Sequence, residues 1–303
     1  VLVHEVVSYL LHKSDGTYAD GTVGTGGHSL AIGKGLEGKG RLICLDRDPD
    51  AVNLSRDRLV FLGKGISVIK ANYSDLDTIL KQLNIKALDG VLLDLGMSSQ
   101  QLDNSGRGFS FTREEPLDMR MDPDDELTAY HLVNTLPQQD IERILRDYGE
   151  EKRARLITRA IVASRSKRPI ETSSQLAQII KSAFPPHPPD NKHPATRSFQ
   201  ALRIAVNKEL QNLDTFLKKI PRLMAKGGRL VILSYHSLED RLVKQTMSGW
   251  EKSCTCPPDF PRCVCGKTVL FRRLFKKGIK AGQIEIEMNP RARSAVLRAA
   301  ERM

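Results

Sequence analysis

The chain predicts an α/β fold built on a parallel sheet and divided by a helical insertion. Three observations carry this reading. The first hundred residues alternate short apolar runs with amphipathic stretches, as βαβ units do. From Asp103 to Thr196 only helical patterns occur. At Arg229–Ser234 (RLVILS) the pattern of a buried strand resumes. The division that follows assigns 1–102 and 197–303 to one discontinuous α/β domain and 103–196 to an all-helical insertion, with no internal repeat.

Taken in order, Thr17–Asp20 ends a first strand, and a glycine-rich turn leads into a helix over His28–Leu36. Arg41–Asp46 (RLICLD) is a second strand, and Pro49–Leu62 a helix with proline in its first turn. Ile66–Lys70 is a third strand and Leu76–Leu83 a helix. Val91–Leu95 is a fourth strand, almost wholly apolar and therefore buried on both faces. The insertion carries helical patterns at Thr128–Leu136, Gln138–Tyr148, Glu151–Ser164 and Ser173–Phe184, closed by a proline-rich break over Phe184–Asp190. Beyond it Phe199, Leu202, Val206, Leu210, Leu213 and Leu217 step by three or four, which predicts one long helix ending at Pro221.

Length and charge narrow the function classes. The 303 residues, 40% hydrophobic and 27% charged, have ordinary globular composition and exclude a disordered chain or a fibre. No run approaches the ~18 apolar residues of a membrane helix, and no signal peptide opens the chain. It starts on Val1, so a few residues are expected in front of it. The 47 Lys and Arg against 36 Asp and Glu leave +11, which suggests a polyanionic partner. Five cysteines fit a reducing compartment better than a disulfide scaffold, so a cytoplasmic location is expected.

The stretch Asp20-Gly-Thr-Val-Gly-Thr-Gly-Gly-His28 falls where the first strand turns into the first helix. Glycines there let backbone amides approach a ligand at a helix N-terminus, although a tight connection alone reads the same way. A dinucleotide fingerprint fails, because Ser29 stands where the third glycine belongs. Asp46, twenty residues beyond Gly26 at the end of the second strand, can accept both hydroxyls of a ribose. Asp94 ends the fourth strand. An adenosine cofactor across the carboxyl ends of neighbouring strands explains these positions together; turn or capping aspartates are the alternative.

Several segments carry a family resemblance. They are Asp20–His28, Asp94-Leu-Gly-Met-Ser-Ser-Gln-Gln-Leu-Asp103, Arg107-Gly-Phe-Ser-Phe111 and Leu117-Asp-Met-Arg-Met-Asp122, followed by Tyr148-Gly-Glu-Glu-Lys152, Phe199-Gln-Ala-Leu-Arg-Ile-Ala-Val-Asn207, Tyr235-His-Ser-Leu-Glu-Asp-Arg241 and Asn289-Pro-Arg-Ala-Arg-Ser-Ala295. In this order they closely resemble the ribosomal RNA small subunit methyltransferase H family over essentially the whole chain. The resemblance implies a class I, Rossmann-like S-adenosylmethionine-dependent methyltransferase fold with an inserted all-helical domain. It further implies N4-methylation of a cytidine in the decoding (P-site) region of bacterial 16S rRNA. The partner is then 16S rRNA or the small ribosomal subunit, with neither DNA nor membrane expected. Family cofactor contacts fall on Gly26, Gly27 and His28 (methionine end and loop), Asp46 (ribose), Tyr73, Asp94 and Gln101. Tyr73 stands where relatives often carry Phe, and Gln100 replaces a frequent Pro.

An exocyclic cytosine amine is a poor nucleophile, since its lone pair is delocalised into the ring. Its methylation requires an in-line approach and acceptors for the amine hydrogens more than a strong base. Asp94, with Ser98 and Ser99, occupies the sequence place of such acceptors; helix capping is the alternative for the serines. His236, directly after the fifth strand, can take the proton after transfer or cap the next helix. Tyr235 can stack on the base. These readings stay open in the sequence.

The methyl acceptor is nitrogen, so no cysteine nucleophile is required, and Cys44 reads as core. Cys254-x-Cys256-x6-Cys263-x-Cys265 places four soft ligands within twelve residues. C-x-C is a less usual zinc pairing than C-x-x-C, so thiols in a surface loop are expected ahead of structural zinc, and no metal in the reaction. From Arg262 to Met303 eleven basic residues face three acidic ones, with Arg272, Arg273, Lys276, Lys277 and Lys280 clustered. The insertion adds Lys152, Arg153, Arg155, Arg159, Arg165, Lys167 and Arg168. Two basic patches flanking a cofactor cleft fit phosphate contacts, and solvated helix faces are the alternative. Arg272, Arg273, Lys276, Lys277, Arg153 and Arg155 are the expected RNA contacts. Aromatic content of only 5% argues against an extended stacking platform, so shape and phosphate recognition are expected, with the cytosine unstacked. A nicotinamide dehydrogenase is disfavoured by Ser29, and a non-catalytic assembly factor by Asp46, Asp94 and His236 together.

Overall fold

The computed structural model describes residues 1–303 apart from 105, 186–192, 255 and 257–263, and gives backbone only at 99 and 104. Cys263 and most of the proline-rich break thus lie outside the described residues. The chain divides into two compact units, 1–96 with 211–303 and 97–210. The second unit begins six residues before the predicted 103–196 insertion and ends fourteen after it, because the helices at both margins belong to its core.

In the first unit β1 (Thr17–Asp20), β2 (Arg41–Asp46), β3 (Ile66–Lys70), β4 (Leu88–Asp94) and β5 (Met224–Ser234) run parallel. After them come β6 (Phe271–Arg273), β7 (Ile279–Lys280) and β8 (Val296–Arg302). Among the described residues the sheet order is β3-β2-β1-β4-β5-β8-β6, with β7 also on β8, and β8 lies antiparallel to β5. This is the doubly wound, Rossmann-like architecture the sequence predicts. Side chains alternate faces along a strand, and the core divides accordingly. Ile43, Ala19, Val91 and Leu230 pair in register and enter one cluster; Leu42, Tyr18, Leu92 and Val231 enter the other. The expectation that the fourth strand is buried on both faces is met: Val91, Leu92 and Leu93 are inaccessible to solvent.

Helices α1 (Val3–Leu10), α2 (Gly27–Gly35), α3 (Pro49–Leu59) and α4 (Leu76–Gln82) belong to the same unit. Asp48 caps α3 by accepting from the Asp50 amide, with Pro49 in the first turn. The second unit holds α5 (Ser99–Asn104), α6 (Ala129–Thr135), α7 (Gln138–Gly149), α8 (Ala154–Arg165), α9 (Ser173–Ser182) and α10 (Thr196–Asn207). Its core joins Ile141 and Leu145 with Ile157, Ile161, Leu176 and Leu202.

One expectation needs correction, and one set of strands leaves no signal in the sequence. The helix predicted across Phe199–Leu217 is two helices, α10 and α11 (Glu209–Lys219), broken at Lys208, which takes a left-handed conformation (φ 52°). The apolar stripe runs on because each half serves a different core: Phe199, Leu202 and Val206 that of the second unit, Leu213, Phe216 and Leu217 that of the first. Arg203, just before the break, binds Glu209, just after it, through two bonds of 2.8 and 2.9 Å. The strands after Ser234 were not legible at all. The sequence of β8, Val-Leu-Arg-Ala-Ala-Glu-Arg, favours helix by composition, yet pairing with β5 draws it into the sheet.

Several of the recurring motifs meet in one loop hub of the second unit. Asp118 accepts from Arg120 Nε and Nη2 at 2.8 and 2.7 Å, and Arg120 donates onward to the Pro123 and Asp125 carbonyls. Arg107 donates to the Arg120 and Met121 carbonyls. Asn207, fully buried, accepts from the Met121 amide (2.8 Å) and donates to the Met119 carbonyl (2.8 Å). Asn207→Ala strands both backbone groups and is expected to destabilise the protein by on the order of 3 kcal/mol, measurable by urea denaturation.

Candidate active site

In the first unit β1 lies between β2 and β4, so the connections leave it in opposite directions. The carboxyl ends of strands at such a switch point form a natural ligand crevice. Here they carry Asp20 on β1, Asp46 on β2, Asp94 on β4 and the Ser234-Tyr235-His236 run at the end of β5.

Asp20 organises the turn that follows it. It is 1% exposed, and its carboxylate accepts from the Ser29 hydroxyl at 2.6 Å and the Thr22 amide at 3.1 Å. Burial pushes the carboxyl above its usual range; the Ser29 hydroxyl, the nearby His28 and the Thr22 amide pull it back in part. Thr22 in turn accepts from the Asp94 amide through Oγ1 at 2.6 Å. Gly21 needs its bare Cα, because a methyl there would stand 2.5 Å from Leu93 Cδ2 and 2.9 Å from Tyr73 Cβ. Gly26 caps α2 with φ 80°, a conformation that favours glycine. A Cβ at Gly27 would meet nothing within 4 Å, so Gly27 opens α2 on a free face while His28 and Ser29 behind it are buried.

Asp46 accepts from the Gly24 amide (2.9 Å) through one oxygen and from the Asp48 amide (3.0 Å) through the other. Each carboxylate oxygen has two lone pairs, so acceptor capacity remains on both for a pair of hydroxyls. Burial pushes the Asp46 carboxyl up to about 6, against the pull of those two amides.

Tyr235 holds Asp94 by donating its hydroxyl to Oδ1 at 2.7 Å; His28 Nδ1 lies 3.4 Å from Oδ2, where it pairs with the carboxylate only when the ring carries both protons. The other His28 nitrogen, Nε2, lies 2.8 Å from the Val1 carbonyl and donates to it. Burial and the Asp94 and Glu239 carboxylates drive the Tyr235 phenol far above its usual range, so it acts as a donor and never as a base. Tyr73 follows β3 in a 3₁₀ turn capped by Asn72, its ring edge-on to Phe216 at 5.7 Å.

The structure moves other expected site residues into structural roles. His236 is the N-cap of α12 (Ser237–Trp250): it accepts from the Glu239 amide, while the Glu239 carboxylate accepts from the Tyr235 and His236 amides. Its Nε2 lies 3.1 Å from Glu239 Oε1. This geometry is that of the capping alternative, made through Nδ1. Ser98 and Gln101 belong to the second unit and cap α5 reciprocally: Ser98 Oγ accepts from the Gln101 amide and Gln101 Oε1 from the Ser98 amide. Sequence reasoning missed Asp20 as the turn's organiser and Glu239, 2% exposed, as a buried cap. A carboxylate one residue before a glycine turn, and one at the third position of a helix, were the available signals.

The basic residues sort in the same way. Arg273 is bound to Glu251 through its amide and guanidinium at 2.5–2.7 Å, and Arg165 donates to the Val133 and Leu136 carbonyls. Both are structural. Arg153 packs its guanidinium over Phe184 at 5.2 Å. Arg272, Lys276, Lys277 and Lys280 stand exposed on the first unit, and Lys152, Arg155, Arg159, Lys167 and Arg168 on the second. Cys44 is core as expected: buried in β2, it donates to Ser29 Oγ at 3.2 Å, and burial pushes its thiol up. No helix among the described residues is long and apolar enough to cross a membrane.

A model of the MraW methylase family matches residues 1–303. The curated ribosomal RNA small subunit methyltransferase H of Geotalea uraniireducens is 47% identical over 304 residues, covering 100% of this chain and 97% of its own. Its namesake from Symbiobacterium thermophilum is 46% identical over 300 residues, covering 99% and 94%. The crystal structure of an rRNA methylase from Streptococcus thermophilus aligns over 99% of this chain and 93% of its own, at 10% identity and a TM-score of 0.43.

Ser29→Ala tests the buried Asp20 arrangement. The hydroxyl favours the ionised carboxylate, so its loss is expected to destabilise the protein by about 2 kcal/mol while Asp20 is ionised. The penalty should shrink as pH falls and Asp20 takes up its proton in the folded state, above the usual carboxylate range. Urea denaturation over a pH series reads both effects.

Proposed function

Because this chain belongs to the MraW methylase family, we propose that it transfers the methyl group of S-adenosylmethionine directly to the exocyclic N4 amine of a cytidine in the decoding region of 16S rRNA, in the cytoplasm. The observation that carries this reading is the Asp94 carboxylate at the end of β4, held by the Tyr235 hydroxyl beside the glycine turn. Relatives of near-equal length that bear the name ribosomal RNA small subunit methyltransferase H support the substrate class.

The residues at the sheet edge fit the cofactor. Asp46 keeps lone pairs for the ribose hydroxyls, Gly26, Gly27 and His28 stand at the start of α2 for the methionine end, and Tyr73 offers a ring to the adenine. Gln101 remains assigned to the cofactor by family resemblance. When bound, S-adenosylmethionine supplies a sulfonium methyl as electrophile. Asp94 accepts a hydrogen of the N4 amine and so turns the nitrogen toward an in-line approach. Its charge stabilises the positive charge that grows on N4. Tyr235 holds the carboxylate at a fixed angle, and its own proton stays in place. Exposed Arg272, Lys276 and Lys277 on one unit, and Arg155 with Arg153 on the other, bind RNA phosphates.

The direct test is mass mapping of nucleosides after reaction with unmethylated small subunits. N4-methylcytidine in the decoding region is expected, and label in any other nucleoside overturns the reading. Asp94→Ala should slow single-turnover methylation at saturating cofactor by on the order of 10²–10³, with RNA affinity nearly unchanged. A wild-type rate would return Asp94 to a structural role.

Cofactor affinity should also follow Asp46. A protonated carboxyl loses acceptor capacity, so binding should weaken as pH falls below about 6, approaching ~tenfold per pH unit in calorimetric titrations. Asp46→Ala should remove this dependence along with about 1–3 kcal/mol of binding.

Arg272→Ala, Lys276→Ala and Lys277→Ala together should weaken RNA binding and reduce the log–log salt slope by about 0.7–0.9 per lost contact. Arg273→Ala instead should lower the melting temperature through Glu251, and fluorescence titration with thermal melts separates the two classes.

A further inference from the structure

Three thiols outside this site meet at one point of the surface. Cys254, Cys256 and Cys265 lie in the loop between α12 and β6, and their sulfur atoms all fall within 4.8 Å of one another. The Cys254 and Cys265 sulfurs are 3.8 Å apart. That is far beyond the ~2.05 Å of a disulfide bond. It equals the edge of about 3.8 Å in a tetrahedron whose corners stand ~2.3 Å from the centre, the Zn–S distance.

Two backbone amides point at these sulfurs, Cys256 to Cys254 Sγ at 3.3 Å and Val264 to Cys256 Sγ at 3.4 Å. Such N–H donors stabilise sulfur in its thiolate form and support it as a ligand. Core packing does not account for the cluster. Cysteine is among the most buried residue types, yet Cys254 and Cys265 are exposed and Cys256 half-buried.

The loop is anchored at its two ends. Its neck is closed by the Leu270 amide donating to the Trp250 carbonyl at 2.9 Å and by Trp250 stacked on Phe271 at 4.5 Å. Between them, residues 251–270 contain neither helix nor strand among those described. A cross-link inside a loop of this length removes conformational freedom that the chain otherwise loses on folding.

We propose that Cys254, Cys256 and Cys265 hold a structural zinc ion that ties this loop. An all-sulfur donor set selects a soft four-coordinate metal over magnesium or calcium. Each thiol releases its proton to solvent as its sulfur bonds the ion, with no change of oxidation state. The unusual C-x-C spacing, which favours uncoordinated thiols in the sequence, is overruled by the convergence of the sulfurs.

Metal analysis of the full chain, purified under reductant and without chelator, tests this. One zinc per chain is expected, and cobalt(II) put in its place should give the intense visible bands and sulfur charge-transfer absorption of a tetrahedral thiolate site. The triple variant Cys254→Ser, Cys256→Ser, Cys265→Ser should hold no zinc. Because that variant can lose its fold, the wild-type chain is also stripped with chelator and refilled with zinc alone. Removal should speed proteolytic cleavage within residues 251–270, and zinc should restore protection. A chain that carries no zinc and takes none up overturns the proposal. So does a triple variant that keeps its zinc, or a Cys254–Cys265 disulfide found under these reducing conditions.

Discussion

Burying a carboxylate at the end of the central strand is costly unless donors surround it, and the donors that Asp20 collects are the ones that fold the site. The Thr22 amide and the Ser29 hydroxyl close the glycine turn around it. Thr22 then takes the Asp94 amide on its hydroxyl, which links the end of β1 to that of β4. Gly21 lets Leu93 and Tyr73 close in behind. Asp94 is therefore tied to Asp20 through Thr22, which engages Asp20 through its amide and Asp94 through its hydroxyl.

The site separates groups that hold from groups that act. Tyr235 orients Asp94 through Oδ1, and Glu239 fixes the Tyr235 backbone through the cap of α12. A tyrosine locked as a donor keeps the carboxylate in one geometry without competing for protons. The same sorting applies to the arginines. Arg203, Arg273 and Arg298 are half-buried or buried and bound to Glu209, Glu251 and Asp240, so their charges are spent on architecture and the +11 excess lies elsewhere. What remains for a polyanion is the exposed set.

Much of the chain was legible because its signals are local. The parallel strands β1–β4 read as apolar runs, α3 read from Asp48 and Pro49, and the glycine turn with Asp46 twenty residues on marked the crevice. Helices α6, α7 and α9 followed from apolar spacing of three and four. Where one signal admits two structures, reading the chain fails. The stripe from Phe199 to Leu217 is continuous in period, and the break at Lys208 leaves no mark on it.

The sequence by itself determined the alternation of strand and helix, the carboxylates at the strand ends and the family to which these motifs belong, since each depends on residue type and spacing along the chain. Only the tertiary structure decided what each polar group is used for. Ser98 and His236 became caps, Arg273 an ion-pair partner, and Tyr235 the donor to Asp94. β8 became a strand against its helical composition. The reason is physical: a polar group takes whichever partner packing brings within about 3 Å. For Tyr235 that partner, Asp94, stands 141 residues away, whereas the caps at Ser98 and His236 are three-residue contacts that the sequence offers beside other readings.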